Sequence, residues 1–259
     1  MSAPALAADR IVDWHATIRI GADGLLSVTE RLALEVDGGE LAKGLRREIP
    51  LEHRDRFGGE VSVPLELVAV THNGAAEPSS IASGALVTPA LAAGRHTFEL
   101  SYRTARQVGH FADHDELYWT LRIAEGNAGW DMPVEHISAE VLLPRPVAAS
   151  EIRAEAYTGP PGGRGRNYVQ LIRDGAVGFT SSAPFGPGEG MAIVVDFPKG
   201  IVEPPGFWRR VGWFFAGNPR TVGGFALLAL IGGFAYRRRI RGRGRNYWPG
   251  DNPTPTALP

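Results

Sequence analysis

The chain has 259 residues, with 27 Lys and Arg against 28 Asp and Glu and a formal net charge of -1. That length holds one good-sized domain or two small ones, and so even a charge balance offers no overall field to recruit nucleic acid. Cysteine is absent, which excludes a disulfide scaffold, thiolate zinc sites and cysteine nucleophiles.

The chain opens with Ala5-Leu6-Ala7, a small-x-small pattern of the kind that precedes a secretory cleavage point, with no apolar stretch before it. Residues 1–8 therefore read as the remnant of a signal peptide or a disordered start. From Asp9 to about Lys199 the dominant period is two. Val12, Trp14, Ala16, Ile18 and Ile20 alternate with polar residues, which predicts a strand with one buried face. Gly21 to Gly24 turns the chain, and Leu26, Val28, Leu32, Leu34 and Val36 alternate back as the second strand of a hairpin. Further strands are expected at Leu45–Leu51, Val61–Val70, His96–Arg103, Leu117–Ile123, Val134–Leu143, Glu151–Ala156, Tyr168–Arg173, Val177–Ser181 and Met191–Phe197. Asn73-Gly74 marks another tight turn. Short strands punctuated by Gly and Pro, with no helical period before residue 200, predict a mainly β domain over residues 9–200. The expected form is an antiparallel sandwich, with a closed barrel as the alternative and a subdivision near residue 145, at Pro144-Arg145-Pro146.

The densest polar cluster is His110, Asp113, His114, Asp115 and Glu116, directly before the expected strand Leu117-Tyr118-Trp119. Imidazole and carboxylate groups so close in sequence can converge on a divalent cation or do acid–base work. Their spacing matches neither the calcium loop nor the two-histidine zinc helix. The structural alternative has one carboxylate capping a turn or pairing with Arg103 or Arg106, while Tyr118 and Trp119 enter the core. No G-x-S-x-G elbow exists, and Gly162 to Arg166 lacks the Lys-Ser/Thr ending of a phosphate cradle. No catalytic residues are assigned, no cofactor is expected, and an enzyme is the less favoured reading.

Residues 201–220 read as a juxtamembrane linker or interfacial helix, since Phe207, Trp208, Val211, Phe214 and Phe215 fall on one helical face. Residues 221–236 are an almost uncharged run rich in Gly and Ala, read as one transmembrane helix. It is short: sixteen residues reach about 24 Å at roughly 1.5 Å each, against ~30 Å of hydrocarbon. Trp213, Phe214 and Phe215 before it, and Tyr236, Arg237, Arg238 and Arg239 after it, would anchor the ends. The basic tail, residues 237–259, sets that side as cytoplasmic and the β domain as extracytoplasmic, giving a single-pass protein of the cell membrane. Membrane lipids are the expected partner, together with a membrane or envelope protein. Gly223, Ala226, Ala229 and Gly233 leave one helix face small enough for a neighbouring helix.

Several segments together resemble a known family: DRIVDWHATIRIGADGLLSVTERLAL at Asp9 to Leu34, GLRREIP at Gly44 to Pro50, HTFELSYRT at His96 to Thr104, DHDELYW at Asp113 to Trp119, GWDMPVE at Gly129 to Glu135, and FPKG at Phe197 to Gly200. The chain is similar to the YciQ-like predicted membrane proteins, whose outer part is domain of unknown function 2207. The resemblance implies a signal peptide, a β-rich extracytoplasmic domain and an anchoring helix, and it carries no catalytic residues. Family members usually continue to further transmembrane helices, and here residues 120–125 lengthen the stretch before Gly126-Asn127. Three functions follow as expectations. The leading one is a membrane-anchored interaction module of the cell envelope. The others are a metal-binding or enzymatic module centred on His110 to Glu116, and a structural or assembly subunit of a membrane complex.

Overall fold

The computed structural model describes residues 9–49, 52–54, 60–82, 85–121, 132–208, 211–213 and 219–243. Packing divides the chain into two units, Met1–Gly206 and Phe207–Pro259. The first is built of β1 (Arg10–Ile20), β2 (Leu26–Val36), β3 (Arg46–Glu48), β4 (Glu52–Arg54), β5 (Glu60–Ser62), β6 (Leu65–His72), β7 (Ala75–Ala76), β8 (Ser80–Ala82), β9 (Ala85–Val87), β10 (Gly94–Thr104), β11 (Val108–His110), β12 (His114–Leu121), β13 (Ile137–Leu142), β14 (Arg153–Gly159), β15 (Tyr168–Arg173), β16 (Ala176–Ser181) and β17 (Gly190–Pro198). An eight-stranded sheet runs β15-β16-β13-β1-β2-β10-β6-β7, and a four-stranded sheet runs β11-β12-β17-β14. The described residues also form two small sheets, β3-β9-β8 and β4-β5.

The turn chemistry behaves as the sequence predicts. Leu25 N–H donates to the Asp23 carboxylate within the β1–β2 turn, where Gly24 has φ +77°. Asn73 and Gly74 have φ +50° and +82°, the paired positive values that a two-residue hairpin requires, and they join β6 to β7. The expected strand Val61–Val70 is broken in two between Ser62 and Leu65, where Pro64 has no N–H to give a ladder.

The expectation of a wholly antiparallel arrangement is corrected at one pair. β1 lies between β2, antiparallel, and β13, parallel, with Trp14 opposite Ile137 and Ile18 opposite Val141. Hairpin signals report only strands adjacent in sequence, whereas parallel partners need a crossover, here everything from β2 to β12. A second correction concerns the first strand. The pairing shifts between Ile11 and Asp13, so Ile11 is buried where unbroken alternation would have buried Val12.

Strands of both larger sheets contribute to one hydrophobic cluster: Trp14, Ile18, Leu32, Phe98 and Phe179 from the eight-stranded sheet, Leu117, Trp119, Ile193, Val195 and Phe197 from the four-stranded one. Pro144-Arg145-Pro146 is where the chain leaves the large sheet at β13 to join the small one at β14, and β15 returns it to the large sheet.

One inward position of β2 is not apolar. Glu30 follows Leu26 and Val28 on the buried face and is wholly enclosed. Arg47 of β3 meets it with a two-pronged contact, Nε to Oε2 at 2.8 Å and Nη2 to Oε1 at 2.9 Å, and Tyr102 of β10 donates its hydroxyl to Oε1 at 2.6 Å. The guanidinium carbon lies 4.8 Å from the centre of the Trp14 ring. Gly44 lets the chain entering β3 pass close to the segment after β9: its φ is +115°, and a Cβ there would stand 2.3 Å from the Thr88 carbonyl oxygen. Burial, and next the Glu30 carboxylate, push the Tyr102 phenol well above its ordinary 10.0.

The second unit contains α1, Pro219–Arg243, which takes in the whole run 221–236 and its first arginines. No helix among the described residues is long and apolar enough to cross a membrane, so the predicted span is a helix whose transmembrane character rests on further argument. Residues 207–208 and 211–213 are also helical. Residues 1–8, and Phe214 and Phe215, lie outside the described residues.

Two predictions concern Glu30. Arg47→Met leaves a buried carboxylate without its cation and lowers the unfolding free energy by about 3–5 kcal/mol; the triple variant Glu30→Leu, Arg47→Met, Tyr102→Phe recovers at least half of that loss in urea titrations of the full chain. The second is a pH effect. A phenol whose folded-state value is raised contributes stability that is complete below about pH 10 and fades as pH climbs towards the folded value, so stability falls above about pH 10. Tyr102→Phe flattens that alkaline fall, as followed by circular dichroism.

Candidate functional site

The polar cluster stands inside a strand, which decides its chemistry. β12 begins at His114, earlier than the sequence suggested, so successive residues point to opposite faces of the four-stranded sheet. Asp115, Leu117, Trp119 and Leu121 go inward, each buried, while His114, Glu116 and Tyr118 face out. Tyr118 was expected in the core beside Trp119, and the pleat sends it the other way, 52% exposed. The five residues therefore form two groups.

The inward group centres on Asp115, which is 1% exposed. Its Oδ1 accepts from Lys199 Nζ at 2.7 Å and lies 2.8 Å from Nδ1 of His110, directly opposite on β11. Of the arginines considered from sequence, Arg103 pairs with Glu66 instead. Lys199 follows β17, and its ammonium stays partly in water while it reaches the buried carboxylate. Asp115 Oδ2 is buried and makes no hydrogen bond among the described residues.

The outward group gains a member that sequence proximity could not show. β12 and β17 pair antiparallel, and Asp196 stands directly opposite Glu116. One ligand atom each from His114, Glu116 and Asp196 lie within 4.8 Å of one another. Burial raises the Glu116 carboxyl above its usual range, and the Asp196 carboxylate adds to the effect. His114 is fixed from two sides, by Asp113 Oδ1 at 2.8 Å from Nδ1 and by the Phe111 ring, stacked 4.8 Å away at 8°. That hydrogen bond lowers the pKa of the exposed Asp113. Gly109 makes room for the ring, since a Cβ there would stand 3.0 Å from Phe111 Cε2. Asp196 had a signal in the sequence that went unused: it is the lone charge in the otherwise apolar strand Met191–Phe197.

The proposed anchor residues fall elsewhere. Tyr236 is 67% exposed on α1, and Arg237, Arg238 and Arg239 are exposed beside it. Trp213 is half-buried and in a helical segment.

The chain bears a distant likeness to solved structures. Native leukotriene A4 hydrolase from Saccharomyces cerevisiae shares 10% identity at a TM-score of 0.48, over 73% of this chain and 29% of that protein. An M1 zinc metallopeptidase from Deinococcus radiodurans shares 14% at 0.41, over 72% and 42%. The chain thus spans less than half of either. No curated protein matches it. The sequence pattern described as "Predicted membrane protein (DUF2207) N-terminal domain" matches residues 10–197, the β-rich unit almost from its first strand to its last. The chain belongs to the DUF2207 family of predicted membrane proteins.

Proposed function

We propose that this protein is a membrane-anchored, extracytoplasmic β-rich module that binds a component of the cell envelope, held in the bilayer by residues 221–236. The observation that carries the reading is the surface of α1. Leu228, Leu230, Ile231, Phe234, Tyr236 and Ile240 are each more than half exposed. At about 100° per residue they are distributed around the axis, so the run 221–236 has no polar face on which to lie against water. Hydrocarbon is the surrounding that suits such a surface. The apolar run is shorter than a bilayer core, and the arginines that continue α1 lower its hydropathy. Local thinning and snorkelling of the Arg237, Arg238 and Arg239 side chains cover the difference. Phe207 and Trp208, 68% and 80% exposed, suit the headgroup region. For binding, the outward face of the four-stranded sheet presents Tyr118, Glu116 and His114, an aromatic with polar neighbours.

The chain lacks cysteine, so single introduced thiols report topology without background. Tyr118→Cys in intact cells should react with a membrane-impermeant maleimide, and Thr254→Cys should react only after lysis. Leu230→Arg with Ile231→Arg should release the protein from membranes at alkaline pH. Recovery of the unaltered protein in the soluble fraction, or the reverse labelling pattern, would overturn the reading.

A further inference from the structure

We propose that His114, Glu116 and Asp196 form a binding site for one divalent transition-metal cation of the zinc class, on the outward face of the four-stranded sheet. The inference stands apart from the membrane reading, since it uses β12 and β17 alone.

Three observations lead to it. The antiparallel register sets Glu116 and Asp196 directly opposite each other, with His114 two residues along on the same face. Their ligand atoms converge within 4.8 Å. Neighbouring ligands of a tetrahedral zinc ion stand about 3.4 Å apart, so side-chain rotations that bring these atoms roughly an ångström closer would close the site.

The second observation is independent of the clustering. Asp196 Oδ1 is buried and has no hydrogen-bond partner among the described residues, although a second carboxylate faces it across the strand pair. An unpartnered carboxylate oxygen removed from water is costly unless a cation meets it. Arg153 is opposite Asp196 on β14, yet it is exposed and no ion pair joins the two among the described residues. The cation that would satisfy Asp196 is thus not supplied by that neighbour.

The third observation selects the metal. Calcium and magnesium take six or more oxygens, whereas an imidazole with two carboxylates suits zinc, cobalt or manganese. Asp113 accepts from Nδ1 of His114, which orients the ring and leaves Nε2 as the ligating nitrogen, the outer-shell arrangement usual for a metal-bound histidine. Three protein ligands on a partly exposed face leave a coordination position for water or for a group of a bound partner.

The test uses the full chain in detergent, without a polyhistidine tag, stripped with chelator and titrated with Zn²⁺ by calorimetry and with Co²⁺ by visible absorption. One Zn²⁺ per chain is expected, with a rise in the unfolding midpoint. Co²⁺ should give d–d bands with no sulfur charge transfer. Asp113→Asn should weaken binding about 10- to 100-fold, with Glu116→Gln and Asp196→Asn weakening it further. His110→Gln, in the other group, should leave it unchanged. Unfolding midpoints in chelator show whether each variant is folded, and binding is compared only among those that are. The proposal is overturned by binding well below one equivalent, by affinity for calcium or magnesium alone, or by Zn²⁺ binding that survives both carboxylate substitutions.

Discussion

The β-rich unit is organised around a charge placed where an aliphatic residue would be simpler. Glu30 occupies an inward position of β2, a strand flanked on both sides by ladder partners. Enclosing a lone carboxylate there would cost more than the surrounding apolar contacts return. The cost is met by geometry: a guanidinium whose fork matches both oxygens, a phenol on the neighbouring strand, and the Trp14 ring beneath the cation. Such a group has few satisfactory arrangements. An apolar contact tolerates sliding by an ångström, but a two-pronged ion pair does not. Arg47 therefore fixes where β3 and its small sheet dock on the large one.

The same logic extends to the start of β1. Asp9 accepts hydrogen bonds from the backbone N–H groups of Asp37, Gly39 and Leu41, which ties the segment after β2 to the start of β1. Glu30–Arg47 and Asp9 together fix how the long connection between β2 and β10 sits on the sheet, while Leu41, Leu45, Ile49, Leu86 and Leu91 of that connection pack into the core. Polar contacts of this kind specify arrangement more than they add stability.

Much of the fold was legible in the sequence because period-two alternation is a direct consequence of the pleat. Trp14 to Ile20 and Leu26 to Val36 read correctly as strands, and Asn73-Gly74 as a turn. What the sequence could not show were relations between distant residues. The β1–β13 pair is parallel and crosses more than a hundred positions, and the shift at Ile11 depends on the partner strand. The site was half legible for the same reason. His110 to Glu116 stood out as a dense polar cluster, but density in sequence is divided by alternation in space. Asp196 and Lys199, which complete the two groups, come from the end of the unit and reach β12 only through strand pairing. A strand that begins at His114 divides Asp115 from His114 and Glu116 through its pleat alone.

Both carboxylates keep one buried oxygen without a hydrogen-bond partner among the described residues, Oδ2 of Asp115 and Oδ1 of Asp196, and they differ in what meets the rest of the group. Asp115 is the more deeply buried, yet Lys199 and His110 both reach its Oδ1, so its charge is answered within the fold. Asp196 lies nearer the surface and faces Glu116, another acid, and the strand's other neighbour at that position, Arg153, is turned to solvent. Depth of burial alone would rank the two the other way round. What distinguishes them is compensation: a carboxylate whose partner is a cation of the same chain is part of the architecture, and one whose partner is a second carboxylate needs a proton or a metal to be stable in place. A shared proton would satisfy the pair of acids alone, whereas a cation engages all three side chains and uses the orientation that Asp113 and Phe111 impose on the imidazole.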